Sequence, residues 1–259
     1  MHKRTITICM MVVVLFSCIS KNKVSSNTND VIVPTAKFDQ TDTIPKITIQ
    51  DTSLVFPQIF EGSFFADTKV AQFGTEITFD KIAVGNLKVS SGQIIATDPV
   101  TLSDAVAFNE NFPIGEFPVE LAMANIKTNR DRRFAFARVK FSDKPIRKWS
   151  FALLPGQPPI PLKSKEIYGY GVDAGLALFV DQVAKNSLNT LLDKNWDNIF
   201  SEKFKDYLNY DFQKQNAVFF STGYGDVFYA TYIGRDSDGK ICQLLTDFDI
   251  VLWRNATEW

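Results

Sequence analysis

Short runs of apolar and aromatic residues, many alternating with polar ones and each closed by turn-forming residues, recur along most of the chain. They include "KITI" (46–49), "LVFPQIF" (54–60), "EITFDKIAVG" (76–85), "LKVSSGQIIATD" (87–98) and "EFPVELAMANI" (116–126). Further on come "FAFARVKF" (134–141), "IRKWSFALL" (146–154), "AVFFST" (217–222), "DVFYATYIG" (226–234) and "KICQLLTDFDIVLW" (240–253). Such segments predict strands. In "FAFARVKF", Phe134, Phe136 and Arg138 alternate with Ala135, Ala137 and Val139, which predicts the two large rings on one face. Asp238-Gly239 stands between two apolar runs and predicts a tight hairpin. The Asp-x-Asp-Gly there lacks the downstream carboxylate of a calcium loop.

The helical period is confined to 181–212, where Leu188, Leu191, Leu192, Trp196, Ile199, Phe200 and Phe204 follow a three-four repeat. The Asn and Asp residues of 195–198 compete with the backbone for hydrogen bonds and predict a break. Four prolines in "LLPGQPPIPLKSK" (153–165) predict an exposed loop. No internal repeat and no second linker is visible. The pattern predicts one α+β, β-rich domain over 45–259. Its architecture is a largely antiparallel sheet, a sandwich or partly open barrel, with a helical insertion around 181–212. Trp253 and Trp259 are placed to cover the end of its core.

The N-terminus changes the inventory. Lys3 and Arg4 precede an apolar run from Ile6 to Phe16, too short to span a bilayer and the right length for a signal-peptide core. The run ends in "LFSC", which resembles the lipobox of bacterial lipoproteins. On that reading 1–17 is a signal peptide and Cys18 the lipidated first residue of the mature chain. The chain is then anchored to a membrane rather than spanning it. The Ser-, Asn-, Asp-, Thr- and Lys-rich stretch that follows makes 18–44 a flexible tether. The expected location is the bacterial cell envelope, on the outer membrane.

Cleavage removes His2, the one histidine among 259 residues. A chain without imidazole builds no Ser-His-Asp or Cys-His pair and no histidine-ligated zinc site. Cys9 is removed and Cys18 acylated, which leaves Cys242 without an intramolecular disulfide partner. Losing Lys3 and Arg4 takes the basic residues from 28 to 26 against 29 acidic ones, so nucleic acid is not an expected partner.

Six segments, three of them carrying both glycine and aspartate, stand in a characteristic order: "GNLKVSSGQIIATDP" (85–99), "FPVELA" (117–122), "FARVKFSDKPIRKWSFAL" (136–153), "GYGVDAGLALFVD" (169–181), "STGYGD" (221–226) and "TDF" (246–248). Together, over 85–248, they resemble a bacterial family catalogued as domain of unknown function 4241. The resemblance implies a shared β-rich fold and carries no mechanism. Val227 departs from the family's pattern, in which glycine follows the Asp of "GYGD".

Asp98, Asp173, Asp181, Asp226 and Asp247 adjoin glycine turns or strand ends, where side chains can meet at one rim of a sheet. Asp173, Asp226 and Asp247 are the candidate catalytic carboxylates, as an acid–base pair or as ligands of Ca²⁺ or Mg²⁺ in an all-oxygen site. Asp98, Tyr170, Asp173, Tyr224 and Asp226 are the candidate binding residues, with rings beside carboxylates suited to a sugar or peptide. The alternative is that these aspartates cap turns and the tyrosines edge the core. Ser221 lacks the Gly-x-Ser-x-Gly setting of a nucleophile elbow. "STGYGD" thus reads as a turn between strands with Asp226 near its bend. The expected role is recognition of an envelope protein, a secreted protein or a glycan, with a carboxylate or metal-assisted hydrolase and a purely structural lipoprotein as alternatives.

Overall fold

The structure, a computed structural model, describes residues 45–51, 53–201 and 204–255. Thirteen strands and two α-helices follow in chain order: β1 (Lys46–Thr48), α1 (Ile59–Gly62), β2 (Lys69–Gln72), β3 (Thr75–Val89), β4 (Ile94–Thr97), β5 (Gly115–Ile126), β6 (Asp131–Lys140), β7 (Lys148–Phe151), β8 (Gly169–Gly171), β9 (Leu176–Asp181), α2 (Lys185–Ile199), β10 (Tyr207–Phe212), β11 (Gln215–Ser221), β12 (Phe228–Arg235) and β13 (Ile241–Asp247). The larger sheet runs β1-β2-β3-β5-β6-β13-β12-β7, with β8 also pairing β12, and curls as a half-barrel. The smaller runs β10-β11-β9-β4. Every pairing is antiparallel.

Strand alternation sorts side chains into three apolar layers. Val119, Leu121, Val139 and Leu244 of the large sheet meet Ile94, Phe179, Val218 and Phe220 of the small one. The intervening residues Leu178, Val180, Ala217 and Phe219 face the other way, onto Leu188 and Leu192 of α2. Strands β9 and β11 are therefore apolar on both faces and read as the continuous runs "LALFV" and "AVFF". The opposite face of the half-barrel packs Phe136, Tyr232 and Trp149 against Phe60 of α1 and Trp253. In that layer Arg138 is buried, its guanidinium donating to Glu120 at 2.8 and 2.6 Å and to Glu61 at 3.2 Å.

Three local features differ from the pattern read along the chain. In β6, Phe134 pairs Met123 and Phe136 pairs Ala122, so Ala135 is an extra residue. This bulge sends Phe134 into the layer between the sheets and Phe136 into the α1 layer, not onto one face. The helix ends at Ile199, with a kink at Asn195, and Tyr207–Phe212 is a strand. Asp206 takes a positive φ of 67°, which stops any helix, and Leu208, Tyr210 and Phe212 then alternate onto the α2 layer. The spacing Phe204, Leu208, Phe212 satisfies both periods, and pairing with β11 decides for the strand. In "LVFPQIF", the backbone after Pro57 closes the single turn of α1 instead of a strand, burying Ile59 and Phe60.

One buried side chain joins the two sheets. Asn216 of β11 accepts from the Lys88 backbone N–H at 2.8 Å and donates to the Asn86 carbonyl at 2.7 Å. Its amide thus gives β3 the donor and acceptor that a neighbouring strand would have supplied.

Candidate functional site

The small sheet is organised by two buried aspartates at opposite ends of neighbouring strands. Asp98 follows β4 and Asp181 closes β9. Each has extended backbone (φ −69°, ψ 137° and φ −70°, ψ 141°) and caps the 3₁₀ turn after it, accepting from Val100 N–H at 2.7 Å and Val183 N–H at 2.9 Å. Each also holds the turn that leads into the other strand. Asp98 Oδ2 accepts from the backbone of Asp173 and Ala174 at 2.6 and 2.7 Å. Asp181 Oδ2 accepts from the backbone of Ser90 and Ser91 at 2.7 and 2.9 Å.

The reciprocity exposes a repeat. "VSSGQIIATDPV" (89–100) and "VDAGLALFVDQV" (172–183) share Val, Gly three residues on, Asp nine on and Val eleven on. Exchanging the two segments maps the pair Ile95↔Val180 onto Thr97↔Leu178, so the ladder has an approximate two-fold axis. Gly92 and Gly175 occupy equivalent turns at φ of 76° and 63°, a region that favours glycine. Their carbonyls accept equivalent bonds from Phe112 N–H (2.8 Å) and Thr222 N–H (3.0 Å). Four shared positions in twelve are too few to stand out without the fold.

The second copy carries an addition: Asp226 Oδ1 accepts from Gly175 N–H at 2.9 Å. Three consecutive amides, at 173, 174 and 175, are thereby held by two carboxylates from separate loops. Asp98, Asp173 and Asp226 do converge, but through backbone donors. The Asp173 side chain itself is exposed. Asp226 lies in the loop between β11 and β12, whose 222–225 turn is closed by Gly225 N–H donating to the Thr222 carbonyl at 2.8 Å. The Gly225 carbonyl accepts from the Thr222 and Tyr229 hydroxyls at 3.2 and 2.8 Å.

Tyr170 is buried between the sheets, its hydroxyl 3.5 Å from Thr246 Oγ1, and burial raises its pKa. It presents no ring to solvent. Tyr224 is the opposite, 61% exposed, with the Arg133 guanidinium 4.8 Å from its ring centre. Arg133 was not marked by the sequence pattern, because it takes its place from a hairpin and a turn some 90 residues apart. Its Nε donates to Asp131 at 2.6 Å and its Nη1 to the Gly223 carbonyl at 3.1 Å. A cavity of about 290 Å³ opens beside this arrangement, lined by Arg133, Ser221 and the 222–225 turn.

Asp247 sits apart, buried at the end of β13 in the α1 layer. It accepts from Trp253 Nε1–H at 2.7 Å and from Asp249 N–H at 2.9 Å. Burial pushes its carboxyl up to about 7, against the lowering by the Trp253 bond. It therefore pins the C-terminal segment against the core. Among the described residues no group of three or more His, Cys, Asp or Glu side chains is arranged to hold a metal ion. Cys18 and Trp259 lie outside the described residues.

A family model described as a protein of unknown function (DUF4241) matches residues 87–246, more than half of the chain, and the chain belongs to that family. The match contains both copies of the repeat and the 222–225 turn. No curated protein and no solved structure matches the chain.

Two predictions follow from these contacts. Asp98→Ala and Asp181→Ala each leave at least three backbone donors without their acceptor, and each should destabilise the fold by about 3 kcal/mol in urea denaturation. Asp173→Ala, altering an exposed side chain, should stay within about 0.5 kcal/mol; equal effects at all three positions would refute the clamp. For Asp247 the folded carboxyl near 7 lies above the unfolded value of about 3.9, so the native state binds more protons between those limits. Its contribution makes the fold less stable as pH rises through that window and levels off above it. Asp247→Asn should flatten this slope in melting temperatures measured from about pH 4 to 8; parallel curves for the two proteins would contradict it.

Proposed function

We propose that this member of the DUF4241 family is a recognition module of the bacterial cell envelope, lipid-anchored through Cys18 on the outer membrane. Its binding surface is the loop between β11 and β12. The observation that carries this reading is the division of labour among the aspartates. Asp98, Asp181 and Asp247 are buried acceptors for backbone and indole donors, and Asp226 holds Gly175, so these carboxylates are engaged in building the loops. Beside the exposed Asp173 and Asp226, the loops offer to solvent Tyr224, Val227 and Phe228, three large side chains within five residues. A stapled turn carrying an exposed aromatic edge favours binding, because little ordering is left to oppose association. The order of charge, apolar run and cysteine supports the anchor. A tether over 18–44 would let the surface reach an envelope protein, a secreted protein or a glycan. The hydrolase alternative needs two carboxylates free to exchange protons across an opening.

Full-length protein in detergent, tested against immobilised envelope extract on a biosensor, should bind, and Tyr224→Ala should weaken binding about tenfold with an unchanged melting temperature. Unaltered binding in that variant would remove the loop from the surface. A loss of turnover in Asp226→Ala, with binding intact, would favour the hydrolase. In detergent phase separation the mature wild type should enter the detergent phase and Cys18→Ser the aqueous phase; identical partitioning would overturn the lipid anchor.

A further inference from the structure

We infer that a second cavity, lined by the β2–β3 turn and Tyr224, binds an uncharged sugar, one pyranose unit of a glycan. This rests on the reading of the β11–β12 loop as the recognition surface, because Tyr224 belongs to both, and it names the ligand class. The cavity, about 420 Å³, falls within the range of small-molecule sites. Buried Ile77, Ile126 and Ile250 give it an apolar base. Its walls are joined through the segment 248–252. Gln72, which closes β2, donates to the Ile250 carbonyl at 2.6 Å and accepts from Leu252 N–H at 3.2 Å. The same segment meets the 222–225 turn, where Gly223 lies so close to the Phe248 carbonyl that a Cβ would not fit. The two turns are therefore held together before any ligand arrives, which lowers the ordering that binding has to oppose.

Three observations specify the ligand. First, Phe73 and Gly74 form the two-residue turn that joins β2 to β3, at φ of 49° and 69°. A turn with two positive φ values favours Asn-Gly, and a bulky side chain is disfavoured at its first position. Phe73 stands there nonetheless, 51% exposed. Neither turn geometry nor core packing accounts for a phenylalanine at that tip, whereas the apolar C–H face of a pyranose stacked on its ring does. Tyr224 adds a second exposed ring. Second, Asp249 is the one charged side chain among the described residues that line the cavity, and its carboxylate accepts no hydrogen bond from them. Arg254 stands close enough to offset part of that charge, so a hydroxyl donor suits the carboxylate better than a second cation. Third, the β5–β6 turn brings neutral polar groups. The Asn129 side-chain oxygen accepts from Asp131 N–H at 3.0 Å, and its Nδ2 and the Thr128 hydroxyl have no partner among the described residues. Ring hydroxyls both donate and accept, and so answer Asp249 and Asn129 together. A carboxylate ligand would face Asp249, an ammonium group would be opposed by Arg254, and a wholly apolar ligand would cover Asp249 unpaired.

The test is saturation-transfer NMR on full-length protein in detergent. The neutral probes are the methyl glycosides of glucose, galactose, mannose and N-acetylglucosamine, and the charged ones are glucuronate and glucosamine. Saturation should pass to the ring protons of at least one neutral glycoside, and titration should show both charged sugars binding several-fold more weakly. Added salt should leave the neutral sugar's affinity unchanged. Phe73→Asn should weaken binding about tenfold without lowering the melting temperature, since Asn suits the turn. Tyr224→Ala should weaken it to a similar extent, and Asp249→Asn, which keeps a side chain that tolerates the positive φ of 55°, several-fold. A lowered melting temperature in Phe73→Asn with sugar binding intact would make Phe73 a structural residue and overturn the site. Glucosamine or glucuronate binding more tightly than the neutral glycosides, and more weakly in salt, would overturn the uncharged ligand. Transfer to none of the neutral glycosides, while Tyr224-dependent capture of envelope material persists, would overturn this inference and leave the recognition surface standing; loss of both would remove the surface as well.

Discussion

Backbone amides in turns must find acceptors, and here buried carboxylates supply them. A turn between buried strands cannot leave its N–H groups dry, since an unpaired donor costs as much as a lost hydrogen bond. Asp98 and Asp181 meet that demand reciprocally: each caps its own 3₁₀ turn and holds the entry turn of its neighbour. The register of β4 with β9 follows, because a slip of one residue would move both carboxylates away from both sets of donors. With β4 and β9 fixed, the alternation of Ala177, Leu178, Phe179 and Val180 determines what faces the large sheet and what faces α2. Asn216 performs the same service between the sheets with an amide in place of a carboxylate.

The device recurs elsewhere. Asp236 accepts from the backbone of Asp238 and Lys240 at 2.9 Å each and closes the β12–β13 hairpin. Asp247 accepts from Asp249 and Trp253 and pins the C-terminal segment. Acidic residues in this chain therefore do much of the work that turns and caps require. That explains why a nearly neutral sequence places so many carboxylates beside glycines and strand ends. It also moves attention from the acids to what they support, namely the exposed aromatic and basic groups of the loops that they hold still.

Much of the architecture is legible in the chain. Period-two runs identify most of the large sheet, Asp238-Gly239 identifies its tight hairpin, and Leu188, Leu192 and their neighbours identify α2. What escapes are features decided by partners distant in sequence. The Ala135 bulge reverses the facing of Phe134, and only pairing with β5 reveals it. Tyr207–Phe212 fits helix and strand equally until β11 is beside it. At the candidate site the aspartates and glycines are visible as turn formers, but two of the three donors to Asp98 lie 75 and 76 residues away. Tyr170 and Tyr224 look alike in the sequence, each flanked by glycines; pairing of Tyr170 with Tyr229 buries the one, and a loop position exposes the other. Arg133 carries no local signal at all, because its role comes from the turn that it contacts.

The approximate two-fold within β4 and β9 bears on where function resides. Two copies of one structural device start from the same geometry, so the differences between them mark what each has acquired. In the first copy Pro99 stands where the second has Gln182, whose N–H donates to the Gln93 carbonyl at 2.9 Å; lacking an N–H, Pro99 cannot form the counterpart. In the second copy Asp226 reaches in from another loop to take Gly175 N–H, and the Gly175 carbonyl receives Thr222. That pair of contacts ties the clamp directly to the 222–225 turn and, through Gly223, to Arg133 and Tyr224. The rigidity that Asp98 and Asp226 together give to residues 173–175 is thus delivered to the exposed ring. Asp226 bridges the part of the molecule that is there for stability and the part that faces outward, which is a more specific role than either a free catalytic carboxylate or an isolated turn cap.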